Sequence, residues 1–431
     1  MKKRRVKTLE WILQKMAVSI LEKHKPIIIG ITGSVGKSST KEAIAHVLGT
    51  AFDVRKNEGN YNNEIGVPLT IIGAESGKRS LFAWMRVAVQ YMRVMRTKKY
   101  PQMLVLELGI DRPGDMSRFM EYLPVSVGVV TNISHSHLEY FQTIDAIAKE
   151  KSTLVKKLSA NSTAILCADD ARVMRNAPKL KCKVITYGED DKALIKAEHI
   201  TVSVGDTQDA GCYFKINYDG NNVPAHIPHC ISRHHIQSLL AAFSVGVVFK
   251  LNPLDMINAF KTYSTLPGRM KLLSGISGTQ LIDDTYNASP TSLKAALKSL
   301  MLFTKQRRVV ILGDMLELGP DSEDLHRKVA DMIVDAGVNS AMFVGRRMLV
   351  AYEALIASGF DARVCAWYES PLDAIENLRD FIQEGDVILI KGSQGMRMEK
   401  VSEALLAPSE KAETALCRQS IDWKQKPFRV V

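Results

Sequence analysis

Short apolar runs recur along the chain, separated by glycine-bearing turns and by segments with helical spacing. Residues 27–31 and 103–106 are dominated by Ile, Val, Leu and Met and read as buried strands, and 125–130, 280–283, 308–312, 341–344 and 387–390, each carrying a short apolar run, read as further strands. Segments 232–249, 292–300, 322–336 and 348–358 place apolar residues three and four apart and read as helices. Strand alternating with helix predicts α/β architecture with parallel sheets. The pattern changes at 190–228, where ITVSV, CYFKINY and VPAHIP alternate between Gly, Asn and Asp turns and predict small antiparallel strands. Leu266-Pro267-Gly268-Arg269 marks a boundary. The expected organisation is a basic helical segment at 1–24, a central α/β domain at 25–264 with the antiparallel insertion, a Rossmann-like α/β domain at 265–408, and a tail at 409–431. The tail is polar and weakly patterned and is expected to be a partly ordered extension.

Two further segments are amphipathic. Residues 8–21 gather Leu9, Ile12, Leu13, Met16, Ala17, Ile20 and Leu21 on one helical face, behind the basic start MKKRRVK. Residues 80–99 gather Leu81, Trp84, Met85, Ala88, Met92 and Met95, with Arg86, Arg93, Arg96, Lys98 and Lys99 around them. Each pattern fits a helix packed on a domain with a solvated basic face. Peripheral contact with an anionic membrane through residues 1–24 is the alternative.

Composition narrows the class. The chain has 431 residues, is 46% hydrophobic and 24% charged, and has a net charge of +11. No apolar run reaches bilayer-spanning length, and the basic start lacks a cleavage site, so a cytoplasmic protein is expected. The six Cys are scattered, without a CxxC, which suggests neither zinc nor a disulfide framework. No helix-turn-helix, zinc signature or aromatic-interleaved basic strand occurs, and nucleic acid is not an expected partner.

The candidate chemistry begins at 27–39, IIIGITGSVGKSS. A buried strand, a turn punctuated by Gly30, Gly33 and Gly36, and Lys37-Ser38-Ser39 opening a helix form a phosphate cradle. Backbone amides from Thr32, Gly33, Ser34, Gly36 and Ser39 line such a turn. Lys37 reaches terminal phosphates, and the Ser38 hydroxyl can hold Mg²⁺. The first glycine lies one place earlier than in G-x-x-x-x-G-K-[ST], since residue 31 is Ile. Glu107 ends the strand at 103–106, where a carboxylate can share that Mg²⁺. His137 follows the strand at 125–130 on the same side of the sheet. The Asn-rich loop with Asn62 and Asn63 is either a turn or a substrate-positioning element. No N-K-x-D guanine-reading tetrad occurs.

The ordered set GITGSVGKSS (30–39), NNEIGVPLT (62–70), ELG and PGDM (107–116), TNIS and HLE (131–139), AKEK (148–151), LPGR (266–269), IDDTYNASP (282–290), GDMLELG (313–319) and KGS (391–393) resembles the Mur ligase family. The resemblance runs from about residue 25 to about residue 405. It implies an ATP- and Mg²⁺-dependent ligase that turns a carboxylate into an acyl phosphate and then an amide. Within the family it points to addition of D-Ala-D-Ala to a peptidoglycan precursor. By position it implies metal ligation by Ser38, Glu107 and His137, and by Lys151 as a CO₂-derived carbamate, with Lys149 as the competing register. It assigns Asn132, Arg269 and Asp284 to the nucleotide. It places Asp314 and Lys391 near the amino substrate.

The sequence departs from the family in three places. Only 26 residues precede the first strand, where the family has a UDP-gripping domain, so a partner supplying UDP binding is one expectation. His235 and Ser238 stand where the family carries adenine-reading Asn, and Ser289 stands where Asn is usual before Pro290. Alternatives to be tested are a ligase for an amino-acid polymer or a folate-like acid, and a non-catalytic nucleotide-binding subunit.

Overall fold

A computed structural model describes residues 2–59, 61–78, 80–134, 141, 143–204 and 210–426, with side chains from Lys7 onward. The chain divides into two compact units, the first formed by 1–200, 213–226 and 234–263, the second by 201–212, 227–233 and 264–431.

The nine strands of the first sheet are β1 (Ile27–Thr32), β2 (Val54–Lys56), β3 (Met103–Glu107), β4 (Val125–Val130), β5 (Thr163–Cys167), β6 (Lys183–Gly188), β7 (Ile195–Ser203), β8 (Gly211–Tyr218) and β9 (Asn221–Pro228). They lie in the order β2-β3-β1-β4-β5-β6-β7-β8-β9. Strands β2 to β7 run parallel. Asp219 and Gly220, at φ 52° and 75°, form a two-residue turn of hairpin type between β8 and β9. The sequence read the alternating strands as an insertion, and they extend this sheet at one edge. Register sets Ile31 of β1 opposite Glu107 of β3 and Thr32 opposite Val130 of β4, so three strands end together at the glycine turn.

Helices cover the sheet because their buried positions recur every three to four residues. Helix Lys37–Leu48 buries Thr40, Ala43, Ile44 and Val47 and packs on His234–Val248. Helix Lys2–His24 buries Leu13, Ala17, Ile20 and Leu21, as its spacing predicts, but Ile12 from the predicted face is exposed. Helix Leu81–Arg96 departs further from expectation. It buries Val87 and Val94, with Trp84, Tyr91 and Met95 partly buried, while the predicted core residues Leu81, Met85 and Met92 face outward with Phe82 and Val89. Apolar residues occupy both sides of this helix, so periodicity could not select the inward one.

The second unit carries β10 (Lys271–Ser274), β11 (Gln280–Asp284), β12 (Arg308–Gly313), β13 (Ser340–Val344), β14 (Cys365–Tyr368) and β15 (Val387–Lys391), ordered β10-β11-β15-β12-β13-β14. Only β10 is antiparallel among the paired strands. Ser289, the departure before Pro290, caps helix Pro290–Leu300 in a reciprocal box with Ser292. Ala415 and Leu416 are buried in the second core, and Arg418 pairs with buried Glu399 at 2.7 Å.

Candidate active site around the glycine turn

The turn after β1 is built by close approach. Gly33 has φ 153°, and a Cβ there would stand 1.9 Å from Thr131 Oγ1. Asn132 after β4 holds the turn from the other side: its carbonyl accepts from Ser34 N at 2.8 Å and its Oδ1 from Val35 N at 2.7 Å. Ser34 Oγ donates to Ser134 O at 3.0 Å and accepts from Ser134 N at 2.9 Å. Thr32 is buried, and its hydroxyl donates to Leu108 O at 3.0 Å. Gly36, at φ 81°, caps helix Lys37–Leu48, a conformation that favours glycine. Lys37 Nζ lies 3.2 Å from Ser34 O, folded back over the turn, while Ser39 is buried on the helix and its carbonyl accepts from Tyr263 Oη at 3.3 Å.

Glu107 brings the second sequence motif to this turn. Its Oε2 accepts from Ser38 Oγ at 2.9 Å and its Oε1 from Asn62 Nδ2 at 3.0 Å. A hydroxyl and a carboxylate in contact at the start of a phosphate-type helix are oxygen donors suited to Mg²⁺. Among the described residues no three His, Cys, Asp or Glu side chains cluster as a metal site. Asn63 plays a local part, its Oδ1 accepting from Gly66 N at 2.8 Å at the start of helix Gly66–Ile72.

Helix Ile144–Lys156, capped by Thr143, buries Ile147, Ala148, Lys151, Leu154 and Val155 on one face. The same spacing leaves Lys149 in solvent. Lys151 Nζ donates to Gly33 O at 2.7 Å. Burial, and secondarily the Lys37 ammonium, lower its pKa to about 7. His137 lies outside the described residues.

Three residues that the sequence reading passed over complete this site. Asn57 is fully buried, donates to Glu107 O at 3.0 Å and accepts from Glu107 N at 2.9 Å, so it fixes the carboxylate's backbone. Lys41 Nζ donates to Asn57 O at 2.5 Å from a buried position. Asp170 accepts from Ile133 N at 2.7 Å and steadies the loop after β4. The Asn-rich loop signalled Asn57, but only its burial distinguishes it from its neighbours. Of the departing residues, Ser238 accepts from Thr40 Oγ1 at 3.2 Å, in a buried contact between two helices.

In the second unit, the Arg269 guanidinium lies 4.0 Å from the centroid of the Tyr286 ring. Asp283 accepts from Gly268 N at 2.8 Å, from Thr285 Oγ1 at 2.8 Å and from Ser402 Oγ at 2.9 Å, which locks the 266–269 turn to β11. Its burial raises its pKa to about 6. Asp284 and Lys391, paired in register across β11 and β15, form an ion pair at 2.5 Å, and Lys391 also donates to Asn287 O at 2.9 Å. Asp314 is buried, with Oδ1 accepting from Met348 N at 2.9 Å and its carbonyl from Ser393 N at 3.0 Å. It therefore holds the loop after β12 to its neighbours.

The Mur ligase middle domain matches residues 31–246 and the Mur ligase glutamate ligase domain matches 268–394. UDP-N-acetylmuramoyl-tripeptide–D-alanyl-D-alanine ligase from Rickettsia prowazekii is 30% identical over 90% of this chain and 80% of its own length. The enzyme of that name from Bacillus subtilis is 28% identical over 91% and 79%. Among solved structures, MurF from Acinetobacter baumannii superposes with a TM-score of 0.76 at 22% identity, over 91% of this chain and 80% of that one. MurF from Thermotoga maritima in complex with ADP gives 0.73 at 22%, over 92% and 83%. With both domains matched in order and a glycine turn that gathers Ser38, Glu107 and Lys151, the chain belongs to the Mur ligase family.

Proposed function

We propose that this protein is an ATP-dependent, ADP-forming ligase that adds D-Ala-D-Ala to a UDP-muramyl-tripeptide. The observation that carries the reading is the meeting of Ser38, Glu107 and Lys151 on the turn that ends β1. The names and extensive alignment of the relatives from Rickettsia prowazekii and Bacillus subtilis support the choice of substrates.

The residues suit phosphoryl transfer followed by acyl transfer. Amides of the turn and Lys37 bind the phosphate chain and hold the terminal phosphoryl group in line with the substrate carboxylate. Transfer gives an acyl phosphate and ADP. The amine of the dipeptide attacks the acyl carbon, and the tetrahedral species expels phosphate. Positioning and neutralisation of charge supply the acceleration, without a protein nucleophile. Bound Mg²⁺, held by Ser38 and Glu107, would neutralise developing phosphoryl charge. Lys151 is assigned as the carbamylated lysine: carbamylation needs a neutral amine, which its depressed pKa favours, and replaces a cation beside Lys37 with an anion. Arg269 and Asp284 are assigned to the nucleotide.

The test is ADP release from a panel of UDP-muramyl peptides and other carboxylates, with and without D-Ala-D-Ala. Stimulation by the tripeptide and dipeptide together supports the reading. Turnover of a γ-glutamyl or polymeric acid in their place would transfer the same chemistry to a different substrate class, and no turnover with any pair would leave a nucleotide-binding protein.

A further inference from the structure

We propose that the outward faces of helices Lys2–His24 and Leu81–Arg96 dock on an anionic lipid bilayer. Leu81 and Phe82 are 79% and 75% exposed, and Met85, Val89 and Met92 continue the stripe along the helix. On the other helix Trp11 is 59% exposed beside exposed Ile12, between exposed Lys7 and Lys15. The two helices bury their opposite faces in the same core. They are also fastened at their C-terminal ends: Lys23 Nζ donates to the carbonyls of Met95 and Thr97, His24 Nε2 lies 3.0 Å from Val94 O, and the His24 ring stacks on Tyr100. Both apolar faces therefore point away from one shared cluster. A soluble surface rarely exposes such a patch without an occupant.

Charge identifies the occupant. Segments 1–9 and 76–106 together contain twelve Lys and Arg and no Asp or Glu, enough to account for the whole net charge of +11. The stripe is flanked accordingly. Leu81, Met85 and Met92 occupy one row of the helix, and Phe82, Arg86, Val89 and Arg93 occupy the next, with exposed Arg96, Lys98 and Lys99 at its end. Apolar residues with long cationic side chains alongside suit the boundary between acyl chains and headgroups: the stems lie along the apolar surface and the cations reach lipid phosphates. Trp11 adds a residue type that prefers this boundary. No helix among the described residues is long and apolar enough to cross a membrane, and the proposed contact is peripheral.

Co-sedimentation of the full chain with vesicles of phosphatidylcholine, alone or with about one-third phosphatidylglycerol, tests this. Binding should require the anionic lipid and weaken at least about tenfold between about 0.1 M and 0.5 M salt. A combined Leu81→Ser, Phe82→Ser, Met85→Ser variant should lose at least about tenfold in partition. Arg86→Ser, Arg93→Ser, Arg96→Ser should weaken the preference for anionic lipid at least about tenfold, with the remaining Lys and Arg keeping part of it. Unfolding midpoints like the parent's would show that these surface variants fold. Brominated phosphatidylglycerol should quench tryptophan emission in the parent but much less in Trp11→Phe. Absence of vesicle binding at low salt, or binding that neither variant alters, would overturn the proposal. A concentration-dependent dimer lost in the Leu81 variant, without vesicle binding, would overturn it in favour of a protein interface.

Discussion

Lys151 Nζ donates to the carbonyl of Gly33 at 2.7 Å, which ties helix Ile144–Lys156 to the turn it faces. The amine is buried and Lys149 is not. Lys151→Met should lower ADP release by roughly a thousandfold or more if the carbamate neutralises phosphoryl charge. Lys149→Met should stay within about twofold of the parent, since surface changes away from a site cost little. Short-chain carboxylates should partly restore Lys151→Ala, and bicarbonate should not. A carbamate signal in the ¹³C spectrum of protein equilibrated with ¹³C-bicarbonate should vanish in Lys151→Met.

Gly33 and Gly59 both have positive φ, but only Gly33 faces a wall, with Thr131 Oγ1 1.9 Å from where a Cβ would stand. Gly59→Ala should cost about 1 kcal/mol from backbone conformation alone. Gly33→Ala should cost at least about 2 kcal/mol more, because Thr131 and the backbone amide of Asn132 would both have to move. Thermal unfolding of the two variants side by side measures the difference.

Asp283 supplies a pH dependence. Its fully buried carboxyl, raised to about 6 from 3.8, keeps its proton in the folded chain where the unfolded chain has released it. The stabilisation is complete below 3.8 and is lost as pH rises through about 6. Asn cannot ionise, so the stability of the parent relative to Asp283→Asn should fall by about 2–3 kcal/mol between about pH 4 and pH 7.5. Parallel unfolding titrations across that range would detect it, and a constant difference would exclude ionisation of Asp283 as the cause.

Arg418 joins the tail to the loop after β11. It donates to Thr285 O at 3.1 Å and to Tyr286 O, pairs with Glu399, and lies 5.5 Å from the centroid of the Tyr286 ring and 5.8 Å from that of Trp423. Arg418→Met should destabilise the second unit by about 3 kcal/mol, because Glu399 is left buried with Arg397 as its remaining ionic partner. Arg418→Lys should recover part of that through charge but not the planar set of bonds. Limited proteolysis should cut the tail faster in Arg418→Met than in the parent.

The strands and the glycine turn were legible because β-branched runs and glycine spacing are local signals. Glu107 was legible from its place at a strand end. Lys151 was legible only through the family resemblance, with Lys149 as the competing register; what separates the two is burial, and that depends on how helix Ile144–Lys156 meets the turn. The inward side of helix Leu81–Arg96 was hidden by apolar residues on both sides. Asp314 accepts from Met348 N, a contact between segments far apart in sequence that no local pattern announces. Asn57, in a loop that reads as ordinary turn sequence, is the residue that anchors Glu107. The tail lacks periodicity because its hold on the second unit comes from scattered contacts, among them Arg418, Ala415, Leu416 and the bond from Arg397 to Lys426 O, rather than from a long amphipathic element.

The attachment of Arg418 to the loop after β11 also has a consequence in time. The bonds to Thr285 join residues 133 positions apart, so on the ribosome the segment beside Asp284 is made long before the arginine that sets it. The glycine turn, Glu107 and Lys151 need no such late arrival. Nascent chains should therefore acquire a protected phosphate-type turn before the region around Tyr286 settles, and assembly of the second unit should be completed only after synthesis has passed Arg418.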